Sequence, residues 1–83
     1  MDQPFVWLDR GTLSALLTEQ LQRTAGCQGA TIVVGASYDA AHGESNWHEF
    51  LCLVPTHADP LYVRAVAGGV VSEARERYNV LDS

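Results

Sequence analysis

Apolar positions divide the chain into two helical and two extended stretches. From Leu13 they recur at Leu13, Leu16, Leu17, Leu21 and Ala25, offsets of three and four that build one stripe on a helix. Thr18, Gln20, Gln22 and Arg23 fall on the far side of that stripe, Asp9 or Thr12 can cap its start, and Gly26 ends it. A second stripe, Val63, Val66, Ala67, Val70, Val71, Ala74 and Tyr78, predicts a longer helix. Asp59-Pro60 opens it, because Asp is a good cap and Pro suits the first helical position, and Arg77-Tyr78-Asn79-Val80 closes it.

Gly68-Gly69 lies near the middle of that second helix, where each glycine costs about 1 kcal/mol relative to alanine. Either the backbone there makes close contact with another helix or with the sheet, or the pair breaks the helix and leaves Leu61 to Ala67 as a separate element. The stripe keeps its phase across the pair, and Glu73 with Arg77 forms an i,i+4 pair beyond it, so a continuous or slightly bent helix is expected.

Between the helices, Ala30 to Tyr38 reads as a strand, with β-branched residues from Thr31 to Val34 and with Ile32, Val34, Ala36 and Tyr38 on one face. Asp39 to Asn46 is a polar loop. Trp47 to Val54 is a second strand, with Trp47, Glu49, Leu51 and Leu53 on one side and His48, Phe50, Cys52 and Val54 on the other, ended by Pro55. Phe5 to Leu8 is a short apolar run that fits an edge strand or a hydrophobic staple equally well. The order predicts a single small α+β domain spanning residues 1–83. It is an α-β-β-α unit, in which an antiparallel hairpin carries two helices on one face. The second strand has few charges, and its edge could pair with a second copy to make a four-stranded sheet.

Composition narrows the function classes. Ten acids against five bases give a net charge of −5, and all five bases are arginine. That balance opposes binding to nucleic acid or to an anionic membrane. No run approaches the roughly 20 apolar residues that span a bilayer, and Met1-Asp2-Gln3-Pro4 lacks the positive start of a secretory signal. The expectation is a cytoplasmic protein whose Cys27 and Cys52 are thiols. The absence of lysine, together with many alanines, points to a GC-rich bacterial genome.

Candidate chemistry is sparse. His42, His48 and His57 lie near Cys52, Asp39, Glu44 and Glu49. However, His48 and Cys52 would sit roughly 13 Å apart along a strand, too far for one ion with bonds near 2 Å. Cys27 follows a helix C-terminus, and Cys52 sits in an apolar strand, so both are expected to be protonated packing residues. Ser37, Ser45 and Ser72 lack a nucleophile-elbow setting, and the glycines match no dinucleotide or phosphate loop. No catalytic residue, metal site or cofactor is expected.

Asn46-Trp47, opening the second strand, is more informative. The tryptophan can cap the core while Asn46 bonds the loop backbone, or it can anchor a partner. The same two readings apply to Trp7. Gly26-Cys27, Asn46-Trp47, Ala74-Arg75 and Arg77-Tyr78-Asn79-Val80, spread over residues 13 to 80, make the chain resemble small uncharacterised α-β-β-α proteins of GC-rich proteobacteria. The resemblance implies a similar compact unit and carries no activity with it. The functional expectation is a non-enzymatic protein–protein interaction or regulatory domain, homodimeric, with Trp7, Asn46, Trp47, Gly68 and Gly69 as candidate interface residues. The alternative is a small-molecule or metal-binding protein using the 39–48 loop.

Overall fold

The computed structural model describes residues 5–41 and 43–81. The reading of residues 1–4 and any ligand role for His42 fall outside the described residues. The order is β1 (Val6–Leu8), α1 (Arg10–Gln22), β2 (Thr31–Val34), β3 (Phe50–Leu53), α2 (Pro60–Ala74) and β4 (Tyr78–Val80). The expected two helices and antiparallel hairpin are present, and two short strands frame them. β1 pairs in parallel with β4, and β2 pairs antiparallel with β3.

α1 starts where its caps predict. Asp9 accepts hydrogen bonds from both the N–H and the hydroxyl of Thr12, each at 2.8 Å, so the two candidate caps work together. The Thr12 N–H, more than any other group, holds the Asp9 carboxyl below its usual range. A carboxylate with a depressed pKa in the fold stabilises above its unfolded pKa, and that stability is lost as pH falls through the folded value. The variant Asp9→Asn keeps a cap acceptor but has no charge to titrate. Its thermal midpoint should therefore fall less than the parent's as pH drops below 4, roughly the unfolded carboxyl pKa. Parallel midpoint curves for the two proteins would rule this out.

The helix ends at Gln22, and the chain then turns through Gly26 and Gly29, whose positive φ angles of 89° and 83° suit glycine. Ala25 is therefore outside the helix and exposed. Leu13, Leu17 and Leu21 are buried, as the stripe required. The polar side of α1 does not simply face solvent, however. Thr18 and Gln22 turn towards β2 and bond its backbone.

α2 runs unbroken through Gly68-Gly69, with Asp59 accepting from the Leu61 N–H at 3.1 Å. Val63, Ala67, Val71 and Ala74 are its buried face. A Cβ at either glycine would meet nothing within 4 Å. The close backbone contact offered as an explanation is thus absent among the described residues, and so is the break. The helix does not reach Val80. It stops at Ala74, and Tyr78–Val80 is a strand. Tyr78 continued the helical phase by coincidence, and its partner strand β1 lies at the other end of the sequence, where no local pattern could reveal it.

The hairpin keeps the same residues opposed along its length, but its inward-bonding positions switch from odd-numbered residues up to Gly35 to even-numbered Tyr38 beyond it. Thr31 pairs with Leu53 and Val34 with Phe50, Gly35 donates to the Glu49 carbonyl at 2.7 Å, and Tyr38 donates to the Asn46 carbonyl at 2.8 Å. Strict alternation nonetheless fails. Trp47 is buried while Leu51 and Leu53, two and three steps along the same predicted face, are exposed. That switch begins just past Gly35, where an added Cβ would lie 2.9 Å from the Glu49 Cβ and 3.1 Å from its carbonyl oxygen. One half of the hairpin therefore turns Ile32 and Val34 towards α1, and the other half turns Trp47 inwards. α2 packs mainly against α1 rather than on the sheet. No helix of the described residues is long and apolar enough to cross a membrane.

Candidate functional site

The backbone edges of the two small sheets differ sharply in their protection. On β2, Thr18 accepts from the Ile32 N–H at 2.9 Å and donates to the Ile32 carbonyl at 3.1 Å. Ser14 accepts from the Val34 N–H at 2.9 Å, and Gln22 donates to the Ala30 carbonyl at 2.8 Å. Ser14, Thr18 and Gln22 are four apart on one face of α1, so the helix supplies what a neighbouring strand would supply.

On β4 the cover comes from the end of the loop. The Asn46 amide accepts from the Val80 N–H and donates to the Val80 carbonyl, both at 2.9 Å, and the Trp47 indole N–H donates to the Tyr78 carbonyl at 2.9 Å. Asn79 returns the contact. Its side chain accepts from the Asn46 N–H and donates to the Glu44 carbonyl, each at 3.1 Å. Each asparagine thus bonds backbone on the other's segment, Asn46 at Val80 and Asn79 at Asn46 and Glu44, and together they clasp the hairpin to the parallel pair. The Trp47 carbonyl is held in turn by Arg75 at 2.7 Å and by the Ser45 hydroxyl at 3.0 Å. Asn46 was expected to bond its own loop; it reaches β4 instead.

Among the described residues no side chain gives β3 such cover. Residues in an antiparallel pair alternate between facing their partner strand and facing away. Ile32 turns its N–H and C=O to Thr18, so Cys52 opposite it turns its own outward, and Phe50 opposite Val34 does the same. Beside this bare edge lies an exposed apolar row, Val33, Leu51 and Leu53, at 43%, 57% and 50% exposure. Burial pushes the Cys52 thiol up, with Arg64 pulling the other way. Cys27 is buried, and neither cysteine is in a disulfide.

A second surface feature is a half-open cleft of about 570 Å³ between the 38–46 segment and the parallel pair. Trp7 and Tyr38 line it, with Asn46 and Asn79 alongside. His48 lies outside it against Tyr38, ring centroids 5.2 Å apart and tilted. Among the described residues no three of the His, Cys, Asp and Glu side chains gather closely enough to hold a metal ion.

The structure separates the five candidate interface residues. Trp47 is 0% exposed and offers no surface to a partner, so it fills the core as the first of its two readings held. Asn46 is half-buried and committed to β4. Trp7 is 52% exposed beside the cleft. Gly68 and Gly69 face open space on α2. Sequence reasoning missed Asn79, Ser14, Thr18 and Gly35. The one signal for the α1 residues was their polarity at four-residue spacing, a pattern that a solvated helix face shows equally.

Comparison with protein-family models, with curated proteins and with solved structures finds no match to this chain.

Proposed function

We propose that this protein is a non-enzymatic interaction domain that works as a homodimer, joined through β3. Support comes from the uneven protection of the sheet edges. β2 and β4 have their outward backbone groups covered by side chains, whereas β3 presents Phe50 and Cys52 beside an apolar row. Natural edges of this kind are normally charged, bulged or covered. β1 also has an outer side, but it is only three residues long and turns only Trp7 that way.

Self-pairing has one register that uses both outward residues. Phe50 faces Cys52 of the second copy and the reverse, which places Leu51 on the twofold axis. Four backbone hydrogen bonds then form, and Leu51 of each copy meets the other in the continued apolar row. Glu49 falls opposite Leu53 rather than opposite another carboxylate, so the net charge of −5 does not concentrate at the joint.

The test is a cross-link. Leu51→Cys in a Cys52→Ala background puts two thiols at a non-hydrogen-bonded pair, with Cα atoms about 4.5 Å apart, inside the range for a disulfide. Mild oxidation should give a covalent dimer, while Val33→Cys in the same background, on the inner strand of the sheet, should stay monomeric. Light scattering of the parent should give the mass of two chains. A strict monomer at high micromolar concentration, or equal cross-linking of the two variants, would overturn the proposal.

A further inference from the structure

The cleft beside Trp7 has a composition that points to its occupant. Phe5, Trp7 and Tyr38 contribute aromatic surface, Asp39 and Glu44 contribute carboxylates, and among the described residues no basic side chain lines it. Trp7 and Tyr38 are 52% and 41% exposed, large for side chains that a folded chain could have covered. Among the described residues neither Asp39 nor Glu44 is paired with a cation. The volume of about 570 Å³ lies within the range of small-ligand sites. One wall is rigid, because Asn46 and Asn79 are locked by four hydrogen bonds to backbone groups.

From this we infer that the cleft binds an organic cation, a guanidinium or alkylammonium group, against Trp7 and Tyr38 with Asp39 and Glu44 as counter-charges. A ring face attracts a cation through its quadrupole, most strongly for tryptophan. Carboxylates near the rings add attraction that weakens with salt. A neutral apolar ligand would leave both acids without a role, and an anion would be repelled. The group can arrive as a free amine or as the side chain of a basic peptide, and the chemistry at the cleft is the same. This inference is independent of the pairing through β3, which lies on another part of the hairpin.

The experiment titrates the full chain with arginine amide, with its neutral analogue citrulline amide, and with a tri-arginine peptide, following the two indole N–H signals by NMR. Arginine amide should move the Trp7 signal saturably, with a Kd of about 1 mM or tighter, and leave buried Trp47 unmoved. Citrulline amide should bind at least about tenfold more weakly. Trp7→Leu, read through the backbone amides of residues 38–44, should weaken binding about tenfold. Glu44→Gln and Asp39→Asn should each weaken it and flatten its salt dependence. Tighter binding of the peptide identifies a chain as the natural source, and equal binding identifies a free cation. Equal affinity for the neutral analogue, no saturation, or full binding by Trp7→Leu with the parental mass and circular dichroism would overturn the inference.

Discussion

Replacing Trp47 with alanine is expected to remove most of the fold's stability. Trp47 is the largest fully buried side chain, and truncation of such a residue costs about 3–5 kcal/mol through lost transfer energy and the cavity left behind. The indole N–H also satisfies the Tyr78 carbonyl, and a buried carbonyl left unpaired adds about 1–3 kcal/mol. A domain of this size holds roughly 4–12 kcal/mol in total. Urea unfolding followed by far-ultraviolet circular dichroism should show the alanine variant largely unfolded without denaturant. Trp47→Phe separates the two contributions, since it keeps much of the apolar volume but loses the donor. Its expected loss is about 1–3 kcal/mol. A cooperative alanine variant within about 1 kcal/mol of the parent would show that the core does not rest on this ring.

The second large effect is expected at Asn79, which is 2% exposed. Asn79→Ala removes the acceptor of the Asn46 N–H and the donor to the Glu44 carbonyl, for an expected loss of about 2–4 kcal/mol. The aspartate variant is more telling. Its carboxylate can accept from the Asn46 N–H but cannot donate to Glu44, and burial disfavours its charge. Its pKa in the fold should therefore be raised. A raised carboxyl pKa makes the unfolded state the readier to ionise, so the variant should lose stability as pH rises through the unfolded pKa and regain it on acidification. The parent has no such group at this position. Asn46→Ala should be costly too, because it strips both partners from Val80. The double variant should lose less than the sum of the two, since both residues serve one network. Additive losses would show that the clasp is two separate contacts.

The helices and the hairpin were legible because their signals are local. Leucines at three- and four-residue spacing mark α1, Asp59-Pro60 marks the start of α2, and the β-branched run at Thr31–Val34 marks β2. The unbroken apolar phase across Gly68-Gly69 carried the helix through correctly. What escaped was whatever depends on a distant partner. β4 is three residues whose strand character comes from β1, so its own periodicity could only extend the helix before it. Thr18 and Gln22 read as solvent-facing because polarity opposite an apolar stripe usually means water, and here it means a strand edge. Strict alternation placed Trp47 with Leu51 and Leu53, and the change of bonding phase between Gly35 and Tyr38 separates them. Asn46-Trp47 stood out in the sequence as a pair, but its destination on β4 did not. Trp7 was singled out as a candidate without the cleft that gives it a neighbourhood.

The parallel register of β1 with β4 also sets how the molecule bears load. Tension applied to the chain ahead of Val6 and beyond Val80 pulls these strands along their length in opposite senses. The bonds from Val6 to Arg77 and from Leu81 to Leu8 are then sheared together, where an antiparallel clasp at the same place would unzip one bond at a time. Stretched from these two points, the protein should yield in a single abrupt step, with the β1–β4 seam as the part that gives way.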